Sequence, residues 1–181
     1  MRHTVLSISL LSLSLVCCEV AAAQSRDSSS WHRARYFIGQ WEGTAQGKIG
    51  EGTVERSYEW VLNDKFIHVR HKSSYPPQTL NPRGEIHEDW GYISYDRARK
   101  RLVLRQFHIE SFVTQYSADP APSDTTTLVF SSESLENLPA GWRAKETYTI
   151  VSANEFIETF ELAAPGKEFE VYTKNHFRRR R

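Results

Sequence analysis

The stretch from Thr53 to Ser74, TVERSYEWVLNDKFIHVRHKSS, contains two runs in which polar and apolar side chains alternate or nearly alternate, separated by Asn63 and Asp64. Alternation of period two is typical of a β-strand with one buried face, and an Asn-Asp pair between two such runs is typical of a turn. The stretch therefore predicts two consecutive antiparallel strands, Thr53–Leu62 and Phe66–Ser74.

The same pattern extends along most of the chain, with almost no helical periodicity. Polar or proline-containing turns separate the further predicted strands, which are Trp41–Lys48, Glu85–Tyr95, Arg101–Tyr116 with a bend near Ser111, Thr125–Ser132, Trp142–Val151, Glu155–Leu162 and Glu168–Phe177. Long strands joined in sequence favour a closed barrel over a sandwich. We expect an all-β, antiparallel up-and-down barrel of about eight to ten strands, wide enough to hold one small ligand.

The N-terminal segment has the composition of an export signal. A short basic start, Met1–His3, precedes the apolar run Val5–Val16, and Ala21–Ala23 supplies small residues before Gln24. This arrangement predicts a secretory signal peptide over residues 1–23, cleaved to give a secreted or periplasmic protein. The apolar run is too short to span a bilayer.

The chain's two cysteines, Cys17 and Cys18, both fall inside this predicted signal. Lipoprotein processing at either cysteine is the alternative, but Val16 is not the small residue that such cleavage prefers. After cleavage no disulfide, thiolate metal site or cysteine nucleophile is possible. We therefore expect a polar lead over residues 24–37, with a short helix through Trp31–Phe37, followed by a single barrel domain over residues 38–181 that is stabilised by its own core.

Charge argues against a nucleic-acid partner. The net charge is +1, whereas nucleic-acid binding usually requires a clustered basic surface. The four arginines at positions 178–181 are the clearest basic cluster, and a short terminal run of this kind is typical of a solvated tail.

The predicted strand Arg101–Tyr116 carries polar and apolar side chains on both faces. A strand in a simple sandwich normally has one face in water, so this mixture predicts that some polar groups point into an enclosed space. Their hydrogen-bond partners can be each other, water or a ligand. The predicted ligand-binding residues of this strand are Arg105, Gln106, His108 and Tyr116.

Two of these residues also have an ordinary structural interpretation. His108 can be a hydrogen-bonded residue of the barrel wall, and Arg105 can pair with Glu59 or Glu88 from a neighbouring strand. The sequence alone leaves both interpretations open.

The run GEIHEDWGYISYD, residues 84–96, places a histidine and two carboxylates beside three aromatic rings. Period two puts His87 and Asp89 on one face of the strand and Glu88 and Trp90 on the other. Either pair can face the cavity, so Glu88 and Trp90 are further ligand-binding candidates. His87 and Asp89 are fewer than the three protein ligands that a catalytic zinc usually takes, so this face predicts no metal site.

The segment Gly39-Gln40-Trp41-Glu42-Gly43 resembles the G-x-W opening of the calycin barrels, which include the lipocalins and the fatty-acid-binding proteins. The resemblance implies that Gly39 and Trp41 close one end of the barrel beneath an arginine of the last strand. Arg178 or Arg179 is the candidate arginine, with Arg178 taken first.

The order of the later motifs resembles the nitrobindin-type haem-binding barrels. These motifs are Gly43 and Gly47, then Tyr58-Glu59-Trp60, Phe66-Ile67-His68-Val69 and His87-Glu88-Asp89-Trp90-Gly91-Tyr92. The resemblance implies ferric haem held by a histidine of a late strand, and His176 is the late histidine of this chain.

The function expected from the sequence is that of an exported binding protein with a hydrophobic or mixed lumen for a small hydrophobic or amphipathic molecule. Binding is favoured over catalysis, and the cofactor is unspecified. One alternative is a haem protein with peroxynitrite or nitric-oxide chemistry, ligated by His176. Another is a small-molecule isomerase or hydrolase, in which His87, Asp89, His108 or Glu110 would converge at the mouth of one pocket.

Overall fold

The computed structural model describes residues 31–120 and 126–181. The predicted signal peptide, both cysteines and the first residue of the predicted strand Thr125–Ser132 lie outside the described residues. One short helix precedes ten strands: α1 His32–Arg35, β1 Gly39–Gly47, β2 Gly50–Val61, β3 Phe66–Tyr75, β4 Glu85–Asp96, β5 Arg101–His108, β6 Val113–Ala118, β7 Thr127–Glu136, β8 Arg143–Ser152, β9 Glu155–Ala163 and β10 Glu170–Arg179.

The ten strands form one closed antiparallel barrel. Each strand pairs with the next in sequence, and β10 returns to pair with β1, which leaves no free edge among the described strands. The prediction of an all-β up-and-down barrel is confirmed. No helix in the described ranges is long and apolar enough to cross a bilayer.

The hairpin predicted from the opening stretch is present as β2 and β3. Leu62, Asn63 and Asp64 all have left-handed backbone conformations, with φ of 51°, 57° and 56°, and the amide of Lys65 donates to the carbonyl of Val61 at 3.3 Å. Asparagine and aspartate tolerate this conformation better than most residues. The Asn-Asp pair therefore reverses the chain where the sequence predicts.

The prediction of one strand over Arg101–Tyr116 is wrong. The chain reverses between β5 and β6 through a turn in which Ser111 has a φ of 73° and the amide of His108 donates to the carbonyl of Phe112 at 3.1 Å. The predicted bend near Ser111 is thus a complete hairpin. It places Gln106 and Thr114 opposite each other on neighbouring strands.

The end of the barrel that contains α1 is packed solid with aromatic side chains. Trp41 is 1% exposed and donates from its indole nitrogen to the carbonyl of Phe37 at 2.6 Å. The ring centroids of Trp41 and Phe156 are 4.7 Å apart, and Phe156 stacks on Phe177 at the same distance. Trp41 is therefore part of this plug, whereas a closing role for Gly39 stays a prediction.

Arg179 is the arginine that covers the plug, and the first choice of Arg178 is wrong. The guanidinium of Arg179 lies 4.1 Å from the ring centroid of Trp41 and donates to the carbonyls of Tyr36 at 2.7 Å and Ile38 at 2.6 Å. Trp41 and Arg179 are opposed in the β1–β10 pairing, so their side chains share a face. Arg178 therefore points outward, and its side chain is 75% exposed.

We expect Arg179→Ala to lower the free energy of unfolding by about 2–3 kcal/mol, because it removes two charge-assisted hydrogen bonds and a cation–π contact. Arg178→Ala is the matched control and should change it by less than about 0.5 kcal/mol. Urea unfolding followed by tryptophan fluorescence measures both values. Equal effects of the two variants would contradict this role for Arg179.

Candidate functional site

The barrel encloses a cavity of about 660 Å³ at the end opposite to α1. Antiparallel order brings the turns that follow β1, β3, β5, β7 and β9 to this end. Apolar residues near these turns form part of the lining, and they include Ile49, Phe112, Leu135, Leu138, Trp142 and Leu162. Polar side chains of the strands supply most of the rest, so the lumen is mixed rather than purely apolar.

Three of the predicted ligand-binding residues line this cavity. Gln106 and Tyr116 are buried, and His108 lies beside them on the inner face of β5 and β6. His87 and Asp89 also line it, which settles the orientation of β4. Ligand binding by these residues stays a prediction.

Arg105, Glu88 and Trp90 lie on the outer face of the barrel, and their assignment to the lumen is corrected. Each directly neighbours an inward-facing residue, so strand alternation turns it outward. Arg105 donates to Gln115 at 2.9 Å, Glu88 pairs with Lys72 at 3.1 Å, and Trp90 is 57% exposed. Neither Glu59 nor Glu88 is the partner of Arg105.

His176 does not fit the role of a haem ligand. Its neighbours Asn175 and Phe177 are buried inside the barrel, so the imidazole points outward, where it contacts the carboxylate of Glu155. Its side chain is 41% exposed. Axial ligation of haem within the cavity by His176 is therefore excluded by the direction of the side chain.

A buried ion pair forms the floor of the cavity. Arg56 binds Glu158 through both terminal nitrogens, at 2.8 and 3.0 Å, and each side chain is 3% exposed. Asn175 donates to the same carboxylate at 2.8 Å, and Arg56 also donates to the Nδ1 atom of His71 at 3.1 Å. Burial opposes ionisation of Glu158, but the Arg56 guanidinium outweighs it and lowers the pKa of the carboxyl.

Glu146 is a second carboxyl on this floor, and it receives a hydrogen bond from the hydroxyl of Tyr148. Burial, and then the negative charge of Glu158, raise the pKa of Glu146 to about 8. Glu146 therefore keeps its proton to a higher pH than an ordinary glutamate, which limits the negative charge beside the Arg56–Glu158 pair.

Four polar side chains converge at the wall of the cavity near its mouth. The Nδ1 atom of His87 lies 2.8 Å from Glu110, its Nε2 atom lies 3.4 Å from Asp89, and its ring centroid is 5.5 Å from that of His108. Burial disfavours the charged imidazolium of His87, but hydrogen bonds to Asp89 and then Glu110 outweigh it and raise its pKa to about 9. This convergence is the arrangement that an isomerase or hydrolase in the cavity would require.

The sequence names these four residues for the isomerase or hydrolase alternative, but it does not show that His108 lies directly opposite Asp89. Asp89 and His108 are directly opposed in the β4–β5 pairing, and the two strands are joined by the short turn between Asp96 and Arg101. Counting seven residues back from Asp96 and seven forward from Arg101 gives this pair. The pairing of Asp89 with His108 could thus be predicted from the register of the hairpin, but not from the spacing of residues along either strand.

The fold and the site define this protein as a closed ten-stranded antiparallel β-barrel with a ligand-sized interior cavity. No family model matches the chain, and no curated protein matches it. Among solved structures, it is similar to Rv2717c from M. tuberculosis, with a TM-score of 0.60 and 14% identity over 84% of this chain and 98% of that chain.

Two further solved structures match this barrel only distantly. One is a de novo designed fluorescence-activating β-barrel, with a TM-score of 0.38 and 16% identity over 81% of this chain and 96% of that chain. The other is a DUF3598-family protein of unknown function from Nostoc punctiforme, with a TM-score of 0.31 and 11% identity over 83% of this chain and 99% of that chain. The match to Rv2717c supports the barrel fold, and not a calycin or nitrobindin family in particular.

Glu146 generates a prediction about pH. In the unfolded chain this carboxyl loses its proton near its ordinary pKa of 4.5, whereas in the folded protein it keeps the proton up to about 8. Between these values the folded state binds more protons, so the contribution of Glu146 to stability falls as pH rises. In urea unfolding between pH 5 and pH 8, the free energy of unfolding of the wild type should fall as pH rises, by up to about 1.4 kcal/mol per pH unit more than that of Glu146→Gln. Parallel curves for the two proteins would show that Glu146 ionises normally.

Proposed function

We propose that this protein binds one small, uncharged amphipathic molecule in its interior cavity. The observation that supports this proposal most directly is the cavity of about 660 Å³ inside the barrel, which lies within the roughly 300–1,000 Å³ typical of small-molecule sites. A barrel that only had to be stable would fill this space with its own side chains.

The distribution of polarity supports an amphipathic ligand. The apolar residues Leu138 and Trp142 lie near the mouth, whereas the Arg56–Glu158 pair lies deep in the floor. An apolar part of the ligand would pack near the mouth, and its polar group would point inward.

The charges of the cavity floor support an uncharged polar group on the ligand. Arg56 is already neutralised by Glu158. Removing a charged group of the ligand from water at the floor would cost free energy without a free countercharge there to offset it.

Unpartnered polar atoms of the inner wall support a ligand that both donates and accepts hydrogen bonds. Within the described ranges, the hydroxyl of Tyr116 and the Oδ1 atom of Asn175 are buried without a hydrogen-bond partner. Leaving such a group unpaired costs about 1–3 kcal/mol. A ligand hydroxyl or amine could satisfy Asn175, and a ligand oxygen could accept from Tyr116.

The fluorescent probe N-phenyl-1-naphthylamine tests this proposal, because it is uncharged, mostly apolar and has one N–H donor. We expect saturable binding of one probe per chain. Ala144→Phe adds a ring at a buried position that lines the cavity, and it should weaken binding at least about tenfold.

Thr149→Phe is the matched control, since it adds the same ring at an exposed position of the same strand. It should bind the probe like the wild type, and circular dichroism should confirm that both variants are folded. Absence of saturable binding to the wild type, or equal binding by both variants, would refute a ligand-binding lumen.

We also propose that the protein is exported, which is supported by the composition of residues 1–23. Intact mass spectrometry of the protein recovered from outside the cytoplasm should give a chain that begins at Gln24. A retained Met1 would overturn export by cleavage at this position, and a lipid adduct on Cys17 or Cys18 would instead establish the lipoprotein alternative.

A further inference from the structure

Three side chains on the inner face of the β4–β5 hairpin form a group suited to a metal ion. His87, Asp89 and His108 each offer one ligand atom, and the three atoms lie within 4.8 Å of one another. We propose that these residues bind one divalent first-row transition-metal ion at the cavity wall, with its remaining coordination positions open to the lumen. This proposal does not depend on the identity of the cavity ligand.

The backbone fixes the arrangement of the three residues. His87 and Asp89 are two residues apart on one strand, so they share a face, and His108 is opposed to Asp89 on the next strand. Bonds of about 2.0–2.2 Å to nitrogen and oxygen need ligand atoms roughly 3.4 Å apart. Side-chain rotation supplies this contraction without a change in register, because His87 is only half-buried near the mouth.

The hydrogen bonds of His108 leave one ring nitrogen free to bind a metal. The hydroxyl of Thr114 donates to the Oε1 atom of Gln106 at 3.2 Å, so its oxygen is left to accept from the Nε2–H of His108, at 3.3 Å. The Nδ1 atom then carries a lone pair, and it is buried without a partner in the described part of the chain. A metal-ligating histidine typically has this pattern, with its other nitrogen held by a neighbouring acceptor.

His87 has the corresponding partner on its opposite side. Glu110 lies 2.8 Å from Nδ1 and can accept its hydrogen, while Nε2 points towards Asp89 at 3.4 Å. A carboxylate behind a histidine fixes the orientation of the ring and increases its basicity towards a metal. In the metal-bound state Glu110 would keep this contact, and Nε2 would bind the ion.

The carboxylate of Asp89 gives independent support for a bound cation. Its residue is 3% exposed, and its Oδ1 atom has no hydrogen-bond partner among the described residues. A buried carboxylate oxygen without a partner is costly, and coordination of a cation would satisfy it.

His71 is excluded as a fourth ligand through its Nδ1 atom, because that atom accepts a hydrogen bond from the Nε–H of Arg56 at 3.1 Å. His71 is also not part of the group whose ligand atoms lie within 4.8 Å of one another, so the protein donors are two imidazoles and one carboxylate. This donor set favours Zn²⁺ or Fe²⁺ over Ca²⁺ and Mg²⁺, which prefer oxygen ligands alone. Three protein ligands leave positions for water or for a donor atom of a bound small molecule.

Titration of the untagged full chain with Co²⁺ after dialysis against EDTA tests this site, because Co²⁺ has visible d–d absorption that reports imidazole and carboxylate coordination. We expect one Co²⁺ per chain, displaced by one Zn²⁺. His108→Gln and Asp89→Asn should each weaken Co²⁺ binding at least about 100-fold, and Thr114→Val should weaken it about tenfold by releasing His108.

His68→Gln and His176→Gln are the matched controls, since both histidines lie on strands but are not among the cavity-lining residues. They should leave Co²⁺ affinity unchanged. The proposal is overturned if the visible spectrum stays that of aqueous Co²⁺, if His108→Gln binds like the wild type, or if the control variants lose as much affinity. Circular dichroism identifies a variant that fails to fold, and if Asp89→Asn does so, His108→Gln and Thr114→Val decide the outcome.

Discussion

The pairing of β1 with β10 is the constraint on which the rest of the structure depends. Once Trp41 is opposed to Arg179, the register runs through all ten strands without a free edge. Between the irregularities at residues 115–116, 150–152 and 171–173, each side chain is then committed to the inside or the outside, because a shift of one residue would exchange the two faces. Closure therefore fixes both the aromatic plug beneath Arg179 and the set of groups that share the lumen.

A closed lumen requires its polar groups to be satisfied from within. Arg56 and Glu158 meet this requirement together, with Asn175 and His71 occupying their remaining hydrogen-bonding positions. Replacing a buried ion pair with apolar residues is often neutral or stabilising, so stability alone does not explain a polar floor. A polar floor beneath apolar residues at the mouth is instead a natural arrangement for orienting a ligand.

The sequence predicts the barrel well, because period-two alternation and turn residues act locally. Asn63 and Asp64 tolerate the left-handed backbone of their turn, whereas Ser111 adopts the same conformation without being a glycine or asparagine. The sequence therefore predicted a bend at Ser111, whereas the chain reverses there. The inward face of β4 was equally hidden, because the outer face carries Trp90 and Tyr92 while the inner face carries His87 and Asp89. An assignment by hydrophobicity alone would place the aromatic face of this strand inside the barrel, which is the opposite of the observed orientation.

The candidate site was less predictable than the fold, because its residues meet through pairing between strands. His87 and Asp89 are visible as a pair in one strand, but His108 joins them only after the β4–β5 register is known. Glu158 and Asp89 also differ in how completely their carboxylates are satisfied. The floor carboxylate of Glu158 has donors on both of its oxygens, whereas the Oδ1 atom of Asp89 and the Nδ1 atom of His108 are buried without a partner in the described ranges. These two atoms of the cavity wall are therefore available to an ion that enters through the mouth.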